Sequence, residues 1–237
     1  MKGIVLTGGT GTRLNPVTKA VNKHALLVWN LPMFFYPLHT IFSSGIKDIA
    51  VISGPPHGNQ IRMLMNHIPA KWDVRLTYVE QPTPAGMSDA ILRCRKFTQN
   101  QSIMVCAGDN YYENDFKSEV SAFATGAMSF LRKTSEFNRF AIPKYDSRGK
   151  LISIEEKAQK ANSNLVVTGP HFYDNRVFDM IDKIRPSTRG ELEITDLNNE
   201  YLKIGQLILL KKNDYWSDMG TFDSLLKTSE HIRRKNL

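Results

Sequence analysis

Gly3-Ile4-Val5-Leu6-Thr7-Gly8-Gly9-Thr10-Gly11-Thr12-Arg13-Leu14-Asn15-Pro16 is the stretch from which the fold of this chain is read. Ile4 to Leu6 is a short apolar run of the kind that forms a buried strand. The chain then breaks into a loop carrying Gly8, Gly9, Gly11 and Arg13. Glycine lets backbone curl tightly or approach a ligand closely. Curled backbone turns its N–H groups to one side, which makes a nest for phosphate oxygens. Arg13 adds a permanent planar cation matched to phosphate geometry. The stretch predicts a strand feeding a triphosphate cradle.

Two other glycine motifs fail here. A Walker loop needs Gly-Lys-Ser/Thr after its spacer, and the dinucleotide fingerprint needs a third glycine where this chain has Leu14. On its own, a glycine loop after a strand is equally a plain strand-to-helix turn.

Outward from this loop, apolar runs and helical spacings alternate. Residues 36–44 have helical spacing, and Gly45 closes it. Residues 48–53 predict a strand, 59–67 a helix, 74–79 a strand, 88–97 a helix and 103–106 a strand ending at Gly108-Asp109. That order predicts an α/β fold with a Rossmann-like, doubly wound, mostly parallel sheet, whose ligands lie beyond the C-terminal strand ends. After about residue 125 the alternation weakens. Residues 128–131, 140–145, 151–155 and 164–173 predict strands, 177–184 and 192–202 helices, 206–210 and 215–218 strands, and 222–233 a final amphipathic helix. We expect one domain over 1–237, with a doubly wound first half (1–125) and a β-rich second half (126–237).

The 237 residues hold no linker, repeat or low-complexity run. No apolar stretch approaches the roughly 20 residues that cross a bilayer, and the N-terminus lacks the apolar core of a secretory signal. Cys94 and Cys106 are too few for a disulfide framework, so a reducing cytoplasm is expected. The net charge of +8 comes from scattered cations. With no RNA-recognition or zinc motif beside them, they fit anionic small molecules rather than nucleic acid.

Leu6 to Lys23 resembles the signature of the sugar-1-phosphate nucleotidylyltransferases, Gly-Gly-x-Gly-Thr-Arg-Leu-x-Pro-x-Thr followed by a lysine. The chain is most similar to the short-form glucose-1-phosphate thymidylyltransferases. The resemblance continues in order through Pro32-Met33, Gln81-Pro82, Gly108-Asp109-Asn110, Ile154-Glu155-Glu156-Lys157, Gly190 to Asp196, and Asp218-x-Gly220-Thr221.

The resemblance implies a phosphate oxygen of a sugar 1-phosphate attacking the α-phosphorus of a nucleoside triphosphate and expelling pyrophosphate. Both reactants are anionic, so the work is charge compensation and alignment. Arg13, Lys23 and Asp109 are the implied catalytic residues. Leu6, Gly8, Gly9, Thr10, Gly11, Thr12, Arg13, Gln81, Gly86 and Asp109 are the implied nucleotide site. The amide of Gln81 can donate and accept at once, as recognition of thymine or uracil requires. Asp109 and Asp218 are expected to hold Mg²⁺, which takes one or two carboxylates plus substrate phosphates. Asn110, Ala141, Glu156, Lys157, Thr168, Gly169 and Trp216 are implied on the sugar-phosphate side; for Trp216, core packing is an equal reading. Glu191 to Asp196 reads as the start of a structural helix. A homodimer or homotetramer is the expected assembly.

The chain departs from the family at Ala25, Leu27, Asp89, Ala107, Ala141, Ala158 and Pro170-His171. Asp89 adds negative charge, and Ala141 adds a methyl where backbone is expected to meet the sugar. The phosphate and metal positions all match. The transfer chemistry is therefore expected to be kept, with the choice of base and sugar left open.

Overall fold

A computed structural model describes residues 1–158 and 164–235. In chain order the elements are β1 (Lys2–Leu6), β2 (Leu27–Val28), β3 (Leu31–Pro32), α1 (Phe35–Ser43), β4 (Asp48–Ser53), α2 (Gly58–Leu64), β5 (Arg75–Glu80), α3 (Met87–Arg93) and α4 (Arg95–Thr98). They continue as β6 (Ile103–Ala107), β7 (Asn110–Tyr112), α5 (Lys117–Ala122), β8 (Ala127–Lys133), β9 (Ile142–Tyr145), β10 (Leu151–Glu155) and β11 (Leu165–Tyr173). α6 (Val177–Ile181), α7 (Ile194–Lys203), β12 (Leu207–Lys211), β13 (Trp216–Asp218) and α8 (Phe222–Lys235) complete the order. The α/β class expected from the sequence is the class observed. No described helix is long and apolar enough to cross a membrane.

Two compact units divide the chain, and they do not divide it at residue 125. Unit 1 takes Met1–Pro84, Cys106–Ala122 and the stretch from Asp214 onward; unit 2 takes Ala85–Val105 and Phe123–Asn213.

In unit 1, β1, β4 and β5 run parallel, with Gly3 opposite Ile49 and Asp48 opposite Arg75. Parallel strands covered on both faces read as continuous apolar runs. Ile4, Val5, Ile49, Ala50, Val51 and Ile52 are accordingly fully buried. The same unit holds the antiparallel pair β7–β13, in which Trp216 faces Tyr112 and Asp218 faces Asn110. The short β2–β3 hairpin contributes Val28 to a cluster with Met33, Met219 and Ile232 of α8.

In unit 2, β11 is antiparallel to β8 and to the Ile103–Val105 part of β6, and β12 runs parallel to β8. β9 and β10 form a separate antiparallel ribbon. The helix expected over 88–97 is two helices, because the chain tightens at buried Cys94, whose N–H bonds to the Ile91 carbonyl. The helix expected over 177–184 stops at Ile181, where Lys183 and Ile184 turn back onto carbonyls three residues earlier.

Candidate active site

The end of β1 is tied into unit 1 before the glycine loop begins. Thr7 is fully buried, and both its N–H and its hydroxyl donate to the Ile52 carbonyl. Leu6 accepts the Gly108 N–H through its carbonyl at 2.8 Å. The loop then turns outward: Gly9 and Gly11 have φ of +94° and +62°, a region glycine enters without the Cβ penalty. Thr12–Leu14 is a single 3-10 turn that leaves Arg13 exposed while Leu14 is buried. The Thr18 hydroxyl bonds the Gly11 carbonyl at 2.9 Å and fixes the far side of the loop.

Gln81 closes one wall. A Cβ placed on Gly54 would stand 1.9 Å from the Gln81 carbonyl oxygen, so only glycine lets these segments meet. On the other side the Gln81 Oε1 lies 2.9 Å from where a Cβ on Gly8 would stand. The amide is buried against the glycine loop itself. A cavity of about 260 Å³ opens here, lined by Gly8, Thr10, Asn22, Lys23, Gly54 and Gln81 among others.

The charged part of the site is built on β7 and β13. The Lys23 Nζ donates to Asp109 Oδ2 at 2.6 Å, and Asn110 Nδ2 donates to Asp109 Oδ1 at 3.1 Å. Burial alone would push the Asp109 carboxyl up, but the ammonium and these hydrogen bonds outweigh it and hold the carboxyl well below the usual carboxylate range. Next to it, burial and the Lys23 charge push the His24 imidazole down to about 3, so that ring is neutral. The Met219 N–H donates to the Asp109 carbonyl at 2.7 Å, and Asp218 pairs opposite Asn110. Strand pairing thus sets the Asp109 and Asp218 backbones side by side. Asp218 Oδ1 and Arg13 Nη2 both approach Gly220: a Cβ there would lie 2.6 Å from one and 3.0 Å from the other.

This donor set suits a hard divalent cation. Its ligands are carboxylate oxygens, and among the described residues no group of three or more His, Cys, Asp or Glu side chains gathers to complete a protein cage. Magnesium uses this kind of partial shell and fills the rest with water and substrate phosphate.

In unit 2 the remaining expected residues are held as follows. Gly86 opens α3 with φ of +99°, and a Cβ there would meet the Leu192 carbonyl oxygen at 2.5 Å. Segment 85–88 is laced to Leu192–Glu193 by Leu192 N–H to Ala85 O and by Ser88 Oγ to Glu193 O. The Gly190–Asp196 block thus leads into α7 as a structural helix start. Glu156 accepts from Thr195 Oγ1 and faces Arg189 at 3.5 Å and Lys157 at 3.8 Å. Lys157 sits at φ +48°. Ala141 bridges Val167, and Thr168 precedes a register break in β11 at Gly169-Pro170. A larger groove of about 840 Å³ beside β10 and α7 contains none of the expected site residues.

Sequence reasoning missed Asn22, Gly54 and Arg189. Asn22 accepts from the His24 N–H at 2.9 Å, contacts its Nδ1 at 3.0 Å and donates to the Thr7 carbonyl at 3.3 Å, tying the Lys23 turn to the end of β1. Its position just before a 3-10 turn is a capping signal that was there to read. Arg189 donates to Glu193 at 2.7 Å, one helical-turn spacing on, and itself reaches Glu156, far away in sequence, at 3.5 Å.

A glycine loop, paired aspartates and neighbouring cations on an α/β scaffold define a class. Residues 2–235 match the family described as Nucleotidyl transferase, and the chain belongs to that family. Within it, the chain is 36% identical to the glucose-1-phosphate thymidylyltransferase of Neisseria meningitidis, over 98% of this chain and 83% of that protein. It is 39% identical to the enzyme of the same name from Xanthomonas campestris, over 98% and 80%. A Bacillus anthracis crystal structure with sucrose bound, provisionally assigned as a glucose-1-phosphate thymidylyltransferase, superposes with a TM-score of 0.89 at 38% identity, covering 98% of this chain and 95% of that one. A UDP-glucose pyrophosphorylase complexed with UDP-glucose shares the fold, with a TM-score of 0.82 at 20% identity over 99% and 98% of the two chains.

Proposed function

We propose that this chain joins dTTP to glucose 1-phosphate and releases pyrophosphate. A phosphate oxygen of the sugar phosphate attacks the α-phosphorus, and the bond to the bridging oxygen breaks with its electron pair leaving on pyrophosphate. The nucleophile is already ionised near neutral pH, so no general base is needed. Arg13 stabilises the charge that grows on the α-phosphoryl and leaving groups. Lys23 holds phosphate as a compact point charge. Gln81, set against Gly8, reads the base edge, with the Gly86 backbone assisting. Asp109 and Asp218 would hold Mg²⁺, which when bound supplies positive charge to the nucleotide phosphates. Asn110, Ala141, Glu156, Lys157, Thr168, Gly169 and Trp216 serve the sugar phosphate. A homodimer or homotetramer working in a reducing cytoplasm completes the reading.

The observation that carries it is the approach of Arg13 and Asp218 to Gly220, next to the strand pair that carries Asp109. Pyrophosphate release with Mg²⁺, dTTP or UTP and a panel of sugar 1-phosphates tests it. Fastest turnover is expected with dTTP and glucose 1-phosphate. Preference for UTP would revise the base, and no release from any pair would overturn the reading.

A further inference from the structure

The Asn110 amide is fixed from both ends. Its oxygen accepts the Trp216 indole N–H at 2.8 Å, a group that can only donate. The Tyr112 hydroxyl reaches the same oxygen at 3.3 Å. Its nitrogen faces Asp109 Oδ1 at 3.1 Å, where an ionised carboxylate can only accept. A flipped amide would set N–H against N–H at the indole and oxygen against carboxylate at Asp109. The indole therefore decides which way the amide points.

The spacing of Trp216-Ser217-Asp218 explains how one strand does this. Side chains two apart in a strand share a face. Trp216 and Asp218 are thus presented together, opposite Tyr112 and Asn110 of β7. Ser217, on the other face, accepts from the Thr228 hydroxyl of α8 at 2.7 Å and anchors the strand from behind. One three-residue strand carries both the second carboxylate and the donor that sets the partner of the first.

We infer that Trp216 is a positioning residue for the divalent cation: through Asn110 it holds the Asp109 carboxylate in the orientation in which Asp109 and Asp218 take up the ion. This rests on the metal role given to the two aspartates above. It gives Trp216 a task separate from packing and from contact with the sugar. Hydrogen-bond partners behind metal ligands typically change metal affinity by about 10- to 100-fold when removed.

The test uses Mn²⁺ alone, titrated into the full-length protein and followed by the electron paramagnetic resonance signal of the free ion. Trp216→Phe keeps an aromatic ring and loses the N–H. It should weaken Mn²⁺ binding about tenfold, while a urea unfolding curve confirms that the variant is folded. Asn110→Ala should weaken binding comparably, and adding Trp216→Phe to it should cause no further loss, because the indole acts through the amide. Unchanged Mn²⁺ affinity in Trp216→Phe, additive losses in the double variant, or no Mn²⁺ uptake by the unmodified protein would each overturn the inference. Pyrophosphate release is measured separately. A protein without turnover whose Mn²⁺ affinity still follows this cycle would sink the proposed function and leave the positioning role standing.

Discussion

The Lys23 ammonium and the Asp109 carboxylate stand 2.6 Å apart with side-chain exposures of only 13% and 11%. Breaking such a pair from one side leaves a charge stranded away from water, which costs more than removing both charges. Lys23→Met should therefore lower stability by about 3 kcal/mol, and Lys23→Met with Asp109→Asn should recover much of that loss. Urea unfolding of the two variants measures this. On the proposed reading, pyrophosphate release should stay low in both.

Arg13 presents the opposite case. It is exposed on a one-turn segment, so its removal should leave the unfolding midpoint where it is. Arg13→Ala should nonetheless reduce kcat/KM by a factor on the order of 10² to 10³, the usual effect of deleting one preorganised donor at a developing charge. Steady-state pyrophosphate release compared with urea unfolding separates the two effects.

Gly54 should tolerate no side chain. With the Gln81 carbonyl 1.9 Å from a Cβ at this position, Gly54→Ala must push the end of β5 away from β4. We expect a loss of about 2 kcal/mol from overpacking, together with weaker dTTP binding as the Gln81 amide moves. Calorimetric titration with dTTP should show the second effect, and Gln81→Ala should reproduce it without the first.

His171 gives stability a pH dependence of its own. It is buried, with Nδ1 2.8 Å from the Ser129 hydroxyl, and burial pushes its pKa down to about 4 from 6.5. The folded state thus binds fewer protons than the unfolded chain between these values. Its contribution is complete above pH 6.5 and is lost progressively as pH falls toward 4, by up to about 3 kcal/mol. Urea unfolding between pH 7.5 and 4.5 should show this fall, and His171→Asn should flatten it. A variant that keeps the full slope would assign the protons elsewhere.

The parallel strands of unit 1 were legible because residues 4–6 and 49–52 are unbroken apolar runs, which few other structures accommodate. β7 was not. Asn110-Tyr111-Tyr112 is too short to show a period, and its partner β13 lies some hundred residues later. The β2–β3 hairpin escaped for the same reason: two residues per strand carry no alternation. Of the candidate site, the glycines and charged residues could be read from their blocks. Of the residues around them, Asn22 carried a local capping signal, whereas Gly54 and Arg189 act through tertiary contacts that no local pattern shows. Asp89, expected to add negative charge, lies 3.0 Å from Arg93 one helical turn on. The order of the two units was also hidden, since each is assembled from segments that local patterns cannot group.

Unit 1 draws its last segment, with Asp218 and Gly220, from residues beyond 213. During synthesis Asp109 leaves the ribosome about a hundred residues before the second carboxylate does, and the glycine loop about two hundred before it. A nascent chain can build most of both units and still lack one of its two paired aspartates. On the proposed metal role, translation itself thus delays divalent-ion capture until residue 218 has been made.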